Sequence, residues 1–403
     1  MRKIANIFFV LTLLLSGMSL ASCDEFDFLQ TVQGTEQEDE KEEEENNDNN
    51  DQTTPTVKTA VLSASTSIIV ADGEDEVTFT VMFGDVDITD SVYLYVENKR
   101  MSSNKFSTDK AGSYKFFASY KGKITNNLII TAANPAVYVE LPKDNQPEKF
   151  TGFDRKILLA EATGTWCGYC PYMIRALELF EENGSNASKA VIVATHSGDE
   201  FSCEASEAVV SASQISGFPS CVLNLDPEVL IENAQPEVNA ENINTMVGME
   251  LKEAARVGIA AAVATNQDAS SIGVRAAVKV GTDGSYRINA WLIEDNVAAS
   301  QSSYWYEFSN GKSSVIIDHK HILRTASNVS PIQGKLLGDK ETCQTGDMIE
   351  FYHEFDTKKV GIKDINNCKV VVLVTAANGS SAKYTVNNII ECPIGASVPF
   401  AYN

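Results

Sequence analysis

Cys167-Gly168-Tyr169-Cys170 places two thiols two residues apart within GTWCGYCP, residues 164–171. Such a pair can exchange a disulfide with a partner, staple its own chain, or supply half of a metal site. A structural zinc site takes four ligands in closed geometry. No second CxxC or CxxH is present, and His196 is the single histidine between residues 148 and 257, so no metal is expected here. As a staple the pair is weak. In the chain-entropy model a loop of about four residues gains ~2 kcal/mol, against ~3.5 kcal/mol for a loop of about 25. Redox exchange is the reading that uses the placement.

That placement depends on the flanking elements. Residues 156–161 read as a strand. Residues 172–182 read as a helix, with Met173, Ile174, Leu177 and Phe180 at helical spacing, and Asn183-Gly184 as its stop. A thiol at a helix start meets unsatisfied N–H groups and the positive end of the helix dipole, which favour its thiolate. Cys167 is expected there as the nucleophile, with Cys170 one turn on to resolve the mixed disulfide. Pro171 falls in the first turn, where a missing N–H costs little. Strands at 190–197 and 217–224 and helices at 204–215 and 241–256 continue the alternation. It implies a mixed or parallel sheet with covering helices over 148–257.

A strand, then Trp166-Cys167-Gly168-Tyr169-Cys170, then a helix resembles the thioredoxin superfamily. The resemblance implies roles for further residues. Glu161, six positions before Cys167, stands where that superfamily carries a buried, proton-relaying acid. Pro219, in SGFPS (216–220), stands where it carries a cis-proline facing the cysteines. Trp166 adjoins the nucleophile and is grouped with the site. Pro171 replaces the usual basic residue after the second cysteine, and Tyr169 replaces the usual Pro or His. Both substitutions leave the direction of electron flow open.

The rest of the chain reads as all-β. Residues 57–134 hold alternating runs at 76–83, 91–98, 112–120 and 126–132 between turn signals, as in a small β-sandwich. They resemble bacterial immunoglobulin-like modules and are assigned spacing or adhesion. Residues 258–403 offer seven candidate strands, among them 286–294, 318–324, 369–375 and 383–390, and read as a second β-sandwich domain. His319 and His321 would share one face of the 318–324 strand, a spacing metals can use. With no acid or cysteine beside them they are assigned to packing or hydrogen bonding.

Cys203, Cys221, Cys343, Cys368 and Cys392 are odd in number, so at least one thiol is free or paired between chains. Centring a hairpin on residues 378–381 sets Cys368 opposite roughly residue 391, which suggests a Cys368–Cys392 disulfide. The pairing of the other three stays open.

Arg2, Lys3 and the apolar run to Leu15, ending in Leu20-Ala21-Ser22-Cys23, form a secretory signal over residues 1–22. Leu-Ala-Ser-Cys resembles the lipobox of bacterial lipoproteins, which implies lipidation of Cys23 and a membrane anchor. Thirteen acids and one lysine between Asp24 and Asp51 give −12 of the chain's −23 charge. Residues 23–56 are therefore expected to be a disordered acidic tether, and nucleic acid is excluded as a partner. Acids just after the lipidated cysteine resemble surface-export signals of Bacteroidetes lipoproteins.

Lipobox, GTWCGYCP, THSGDEF (195–201), GFPS, LIED (292–295) with Gln301, and HKHILR (319–324) occur together. In this the chain resembles the outer membrane protein 28-related lipoproteins of Bacteroidetes. The resemblance implies a thioredoxin-like domain followed by a β-domain at the outer membrane, on its periplasmic face or the cell surface. The expectation is a multidomain α/β plus all-β protein, without cofactor. It would exchange disulfides with other envelope or secreted proteins. The alternative is a binding or assembly lipoprotein that uses the fold as a platform.

Overall fold

The computed structural model describes residues 59–227, 230–232, 235–377 and 383–403. The signal segment, Cys23 and the tether lie outside them. Among the described residues no helix is long and apolar enough to cross a membrane.

The N-terminal strands form two sheets. One joins Ala60–Ala64, Val77–Phe83 and Val86–Asp87, with Lys105–Phe106 on its edge; the other runs Ile68–Val70, Leu128–Ala133, Gly112–Tyr120, Tyr93–Val96 and Lys99–Arg100. Alternation sends Val77, Phe79 and Val81 inward to meet Phe116 and Ile130 from the facing sheet. The Phe79 and Phe116 rings lie 4.5 Å apart. Two half-apolar sheets closing on one core is what such period-two runs require.

The following residues build a nine-stranded sheet. Its order is Leu230–Glu232, Ser220–Leu223, Ile157–Thr163, Ala190–His196, Ile322–Ala326, Tyr286–Glu294, Cys368–Ala377 and Tyr384–Pro393, with Lys335–Leu336 paired beside Tyr286–Glu294. Ile157–Thr163 and Ala190–His196 run parallel, joined through the helix Cys170–Asn183. Ile157 and Leu159 pack on Met173, Ala176 and Phe180 of that helix and on Ile243 and Val247 of Pro236–Glu250. On the other face Leu158 and Ala160 meet Ala205 and Val209 of the helix Glu204–Ala212. Cover on both faces explains why Ile157–Ala160 is apolar throughout instead of alternating.

The boundary expected near residue 257 is not a boundary between sheets. Ile322–Ala326 pairs in parallel with Ala190–His196 through Ala194 and Ile322, so strands from both sides of residue 257 share one sheet. The pairing covers what would otherwise be two exposed edges. Strand composition announces a strand, not the sheet that receives it. A second sheet, Met348–Asp356, Ser271–Val280, Val257–Thr265 and Ser397–Val398, packs its Ile259, Val274 and Val278 against Ile288, Leu292, Val370 and Val372 of the large one. Lys279 is fully buried within it. Its Nζ donates to the carbonyls of Gln146, Pro147 and Lys149 and pairs with the Asp144 carboxylate, fixing the connecting segment.

The Cys368–Cys392 disulfide is not formed; both thiols are free and buried. Cys392 lies opposite Val370 and Pro393 opposite Lys369, with a bulge between Val374 and Thr375. The register, with Ala377 opposite Tyr384, is displaced along the chain from the one a hairpin centred on 378–381 would give. Cys368 and Cys392 become diagonal neighbours, with a typical Cα separation of about 7–8 Å, beyond ordinary bridging reach. Each sulfur instead donates to a carbonyl, Cys368 to Asp364 at 3.4 Å and Cys392 to Ala396 at 3.4 Å. Burial pushes these thiols up, to about 12 and about 11.

Candidate functional site

Residues 164–169 leave the strand Ile157–Thr163 and turn into the helix Cys170–Asn183. The helix begins at Cys170, with Tyr169 as its N-cap, so Cys167 stands one turn ahead of the start expected for it. The consequence for its sulfur is nonetheless the expected one. The Cys170 N–H, in the first turn of the helix, points at Cys167 Sγ at 3.1 Å and at Cys167 O at 3.3 Å. The two cysteines are disulfide-bonded with Cα atoms 5.4 Å apart. Cys170 is sealed from solvent and Cys167 is 4% exposed. Trp166 and Tyr169, each 52% exposed, flank it. The Trp166 indole N–H donates to Ser197 O at 2.8 Å, and its ring meets Phe218 at 5.6 Å.

Glu161 is buried on the sheet face covered by the helix, opposite Cys221 of Ser220–Leu223. Burial pushes its carboxyl up to about 8; the Thr163 hydroxyl opposes the rise and the Glu178 charge adds to it. Burial, with the Glu161 carboxylate adding, also pushes the Cys221 thiol up. Glu161, Leu177, Glu181, His196, His319 and His321 are among the residues lining a cavity of about 40 Å³, and Glu161 Oε1 has no hydrogen-bond partner among the described residues. Pro219 is buried behind a cis Phe218–Pro219 bond. The sequence-selected Cys167, Cys170 and Trp166 share one turn, while Glu161 and Pro219 come from the adjoining paired strands.

A two-stranded hairpin, Val297–Ser302 against Ser314–His319, covers the cysteine turn. Gln301, wholly buried, directs Nε2 to Cys167 O at 2.9 Å and Gly164 O at 3.2 Å. The main chain adds Ser302 N–H to Thr165 O and Tyr304 N–H to Gly168 O, both 2.8 Å. The Tyr304 ring occupies the space a side chain at residue 168 would need, 2.6 Å from a Cβ built there. That explains the glycine in this CxxC.

The model of the family described as "Outer membrane protein Omp28" matches residues 206–397. The outer membrane expected from the family resemblance agrees with that description. No curated protein matches. HBP35 of Porphyromonas gingivalis is similar at 17% identity, over 60% of this chain and 76% of that one, with a TM-score of 0.46. A domain of the outer membrane lipoprotein Omp28 from the same organism is 16% identical, over 36% and 90% of the two chains, with a TM-score of 0.22. The Omp28 span holds Pro219, Gln301 and Tyr304; the cysteine pair and Glu161 precede it.

An aromatic and histidine cluster stands beside the turn; His319 and His321 lie within the matched span, while His196, Asp199 and Phe201 precede it. His196 Nδ1 lies 2.7 Å from Asp199 Oδ2, which also accepts the Thr165 N–H at 2.8 Å. Although burial acts to raise it, the His196 hydrogen bond and charge, helped by backbone donors, hold Asp199 at about 2. The His319 ring meets those of His196 at 5.4 Å and Phe201 at 5.2 Å, and burial first, then the His196 charge, lowers it to about 4. His319 and His321 do not share a strand face. The hairpin strand ends at His319, and His321, at φ 56°, turns the chain into Ile322–Ala326. His321 sits between Glu181 and Asp295, at 3.4 and 3.5 Å. Sequence reasoning noted Gln301 and THSGDEF but assigned neither to the cysteine turn.

Proposed function

We propose that this outer-membrane lipoprotein, anchored through Cys23, exchanges disulfides with envelope or secreted proteins through Cys167 and Cys170 on a thioredoxin-like centre. The observation that carries the reading is the turn itself: a disulfide at a helix start where the Cys170 N–H lies 3.1 Å from Cys167 Sγ and is shared with Cys167 O at 3.3 Å. That donor favours a thiolate at Cys167 once the pair is reduced. Glu161, buried beside the turn and holding its proton, supports it. In the reducing direction, Cys167 thiolate attacks a partner disulfide and expels one partner thiolate. Cys170, giving up its proton, then attacks Cys167 Sγ, expels the second partner thiolate and restores the intramolecular disulfide. The partner gains the two electrons the cysteine pair loses. Glu161 is assigned the relay of the Cys170 proton, and Trp166 and Pro219 the walls against which the partner chain lies.

The hairpin favours a second reading. With Gly168 roofed by Tyr304 and Cys167 almost covered, the same fold could serve as a binding platform. Replacing Cys170 by Ser removes the resolving thiol, so exchange predicts partner adducts on Cys167 that survive acid quench and are released by reductant. Cys167→Ser should capture little, because Cys170 is fully buried. Equal capture by the two variants would overturn exchange in favour of the platform.

A further inference from the structure

We infer that Gln301 is a positioning residue for the cysteine pair: its carboxamide holds the 164–168 turn so that the Cys170 N–H stays on Cys167 Sγ, which favours the reduced form. The inference deepens the exchange reading and draws its functional meaning from it.

The geometry is specific. Residues 301–304 hold four carbonyls of the turn, those of Gly164, Thr165, Cys167 and Gly168. Two of these bonds are main-chain and any sequence could make them. The other two come from the one side-chain amide, whose two N–H groups are shared among Cys167 O, Gly164 O and the neighbouring Ser302 O, with Cys167 O the nearest at 2.9 Å. Turned over, it would set oxygen against oxygen, so the orientation is dictated. Its Oε1 is buried without a hydrogen-bond partner among the described residues. A buried polar atom left so is costly, and an apolar residue would fill the hairpin without that cost. The amide is therefore retained for what its nitrogen does.

The carbonyl of Cys167 belongs to the peptide that leads into Gly168, within the turn that sets Sγ against the Cys170 N–H. Tying that carbonyl to Gln301 directs the negative end of the peptide dipole into the hairpin and fixes the turn. A thiolate gains more from a fixed N–H donor than a neutral disulfide sulfur does. The clamp therefore favours the reduced side of the balanced exchange, in which the Cys167–Cys170 disulfide and two glutathione thiols give two protein thiols and glutathione disulfide. Without the amide, the pair should become a weaker oxidant.

The test uses the full-length protein in detergent with Gln301→Met, which keeps an unbranched chain of similar length. Equilibration over a range of glutathione redox ratios should show the protein disulfide favoured about tenfold more than in wild type, the scale of one charge-assisted hydrogen bond. Thiolate absorbance of the reduced protein against pH should show Cys167 titrating at higher pH by a matching amount. Val297→Ala, at the far end of the same hairpin, should lower thermal stability and leave both readings unmoved. A wild-type equilibrium in Gln301→Met, or equal shifts in both variants, overturns the proposal. Should Gln301→Met not fold, wild-type NMR decides. The Gln301 amide protons should be protected from exchange and should shift on reduction; rapid exchange overturns the clamp. None of these readings needs a partner protein, so the clamp and the capture of partners by Cys170→Ser can fail separately.

Discussion

Glu161→Gln tests the buried carboxyl in the most quantitative way. In the folded protein, burial moves the group from its ordinary 4.5 to about 8. Between those values the folded state holds a proton that the unfolded chain has released, so folding grows less favourable as pH rises. Below 4.5 the effect vanishes; at 7 it is about 3 kcal/mol and above 8 roughly 5 kcal/mol, at about 1.4 kcal/mol per pH unit. Glutamine has the same shape and cannot ionise. The stability of Glu161→Gln relative to wild type should therefore climb from near constant at pH 4 to several kcal/mol higher at pH 9. Urea unfolding of the two proteins at unit pH steps, with the cysteine pair kept oxidised, reads this difference. Subtraction removes the other titrations, including His319 and His353, which burial lowers to about 4 and which act below 6.5 in the opposite sense. Parallel stability curves from pH 5 to 9 would refute the buried, proton-holding Glu161 and with it the proposed relay.

Gly168→Ala drives a methyl into the Tyr304 ring and should cost about 1–3 kcal/mol; thermal melts should show most of that loss relieved in the double variant with Tyr304→Ala, and simple additivity would place the ring elsewhere. Asp199 is depressed to about 2 from 3.8, so it stabilises the fold above 3.8 and the contribution is lost as pH falls through 2. Asp199→Asn should cost about 2 kcal/mol at neutral pH and flatten acid unfolding between those values, and an unchanged acid limb would contradict the pairing with His196. Alkylation of the denatured, unreduced protein should label Cys203, Cys221, Cys343, Cys368 and Cys392, leaving Cys167 and Cys170 for labelling after reduction. A bridged peptide carrying Cys368 and Cys392 would contradict the strand register.

Local spacing made part of the site legible in advance. Cys167, Cys170 and Trp166 lie within five residues, and Glu161 precedes them on the strand that feeds the turn, so one short pattern predicts their grouping. Pro219 was legible only through the resemblance carried by SGFPS; that the strand after it runs beside that of Glu161 is a finding of the structure. Gln301 lies 134 residues from Cys167, and no local periodicity connects them. His319 and His321 failed for a different reason. A period-two run of residues describes a continuous strand equally well whether or not the backbone turns left-handed inside it, as it does at His321. The Cys368–Cys392 register turned on a single bulge and the position of one turn, which side-chain types do not specify. The sheet that unites both sides of residue 257 escaped because edge pairing is a property of three dimensions.

A chain is made from its N-terminus, and the hairpin that carries Gln301 and Tyr304 follows the cysteines by more than a hundred residues. During synthesis there is an interval in which the chain holds Cys167 and Cys170 but not yet the residues that roof them. The parallel neighbour of Ala190–His196, strand Ile322–Ala326, arrives later still. The nascent protein thus presents its thiols openly to whatever oxidant it meets, and only the finished chain presents them under cover. An oxidant that met the pair before residues 301–304 were made would meet an uncovered turn; one that meets the finished chain meets the hairpin first.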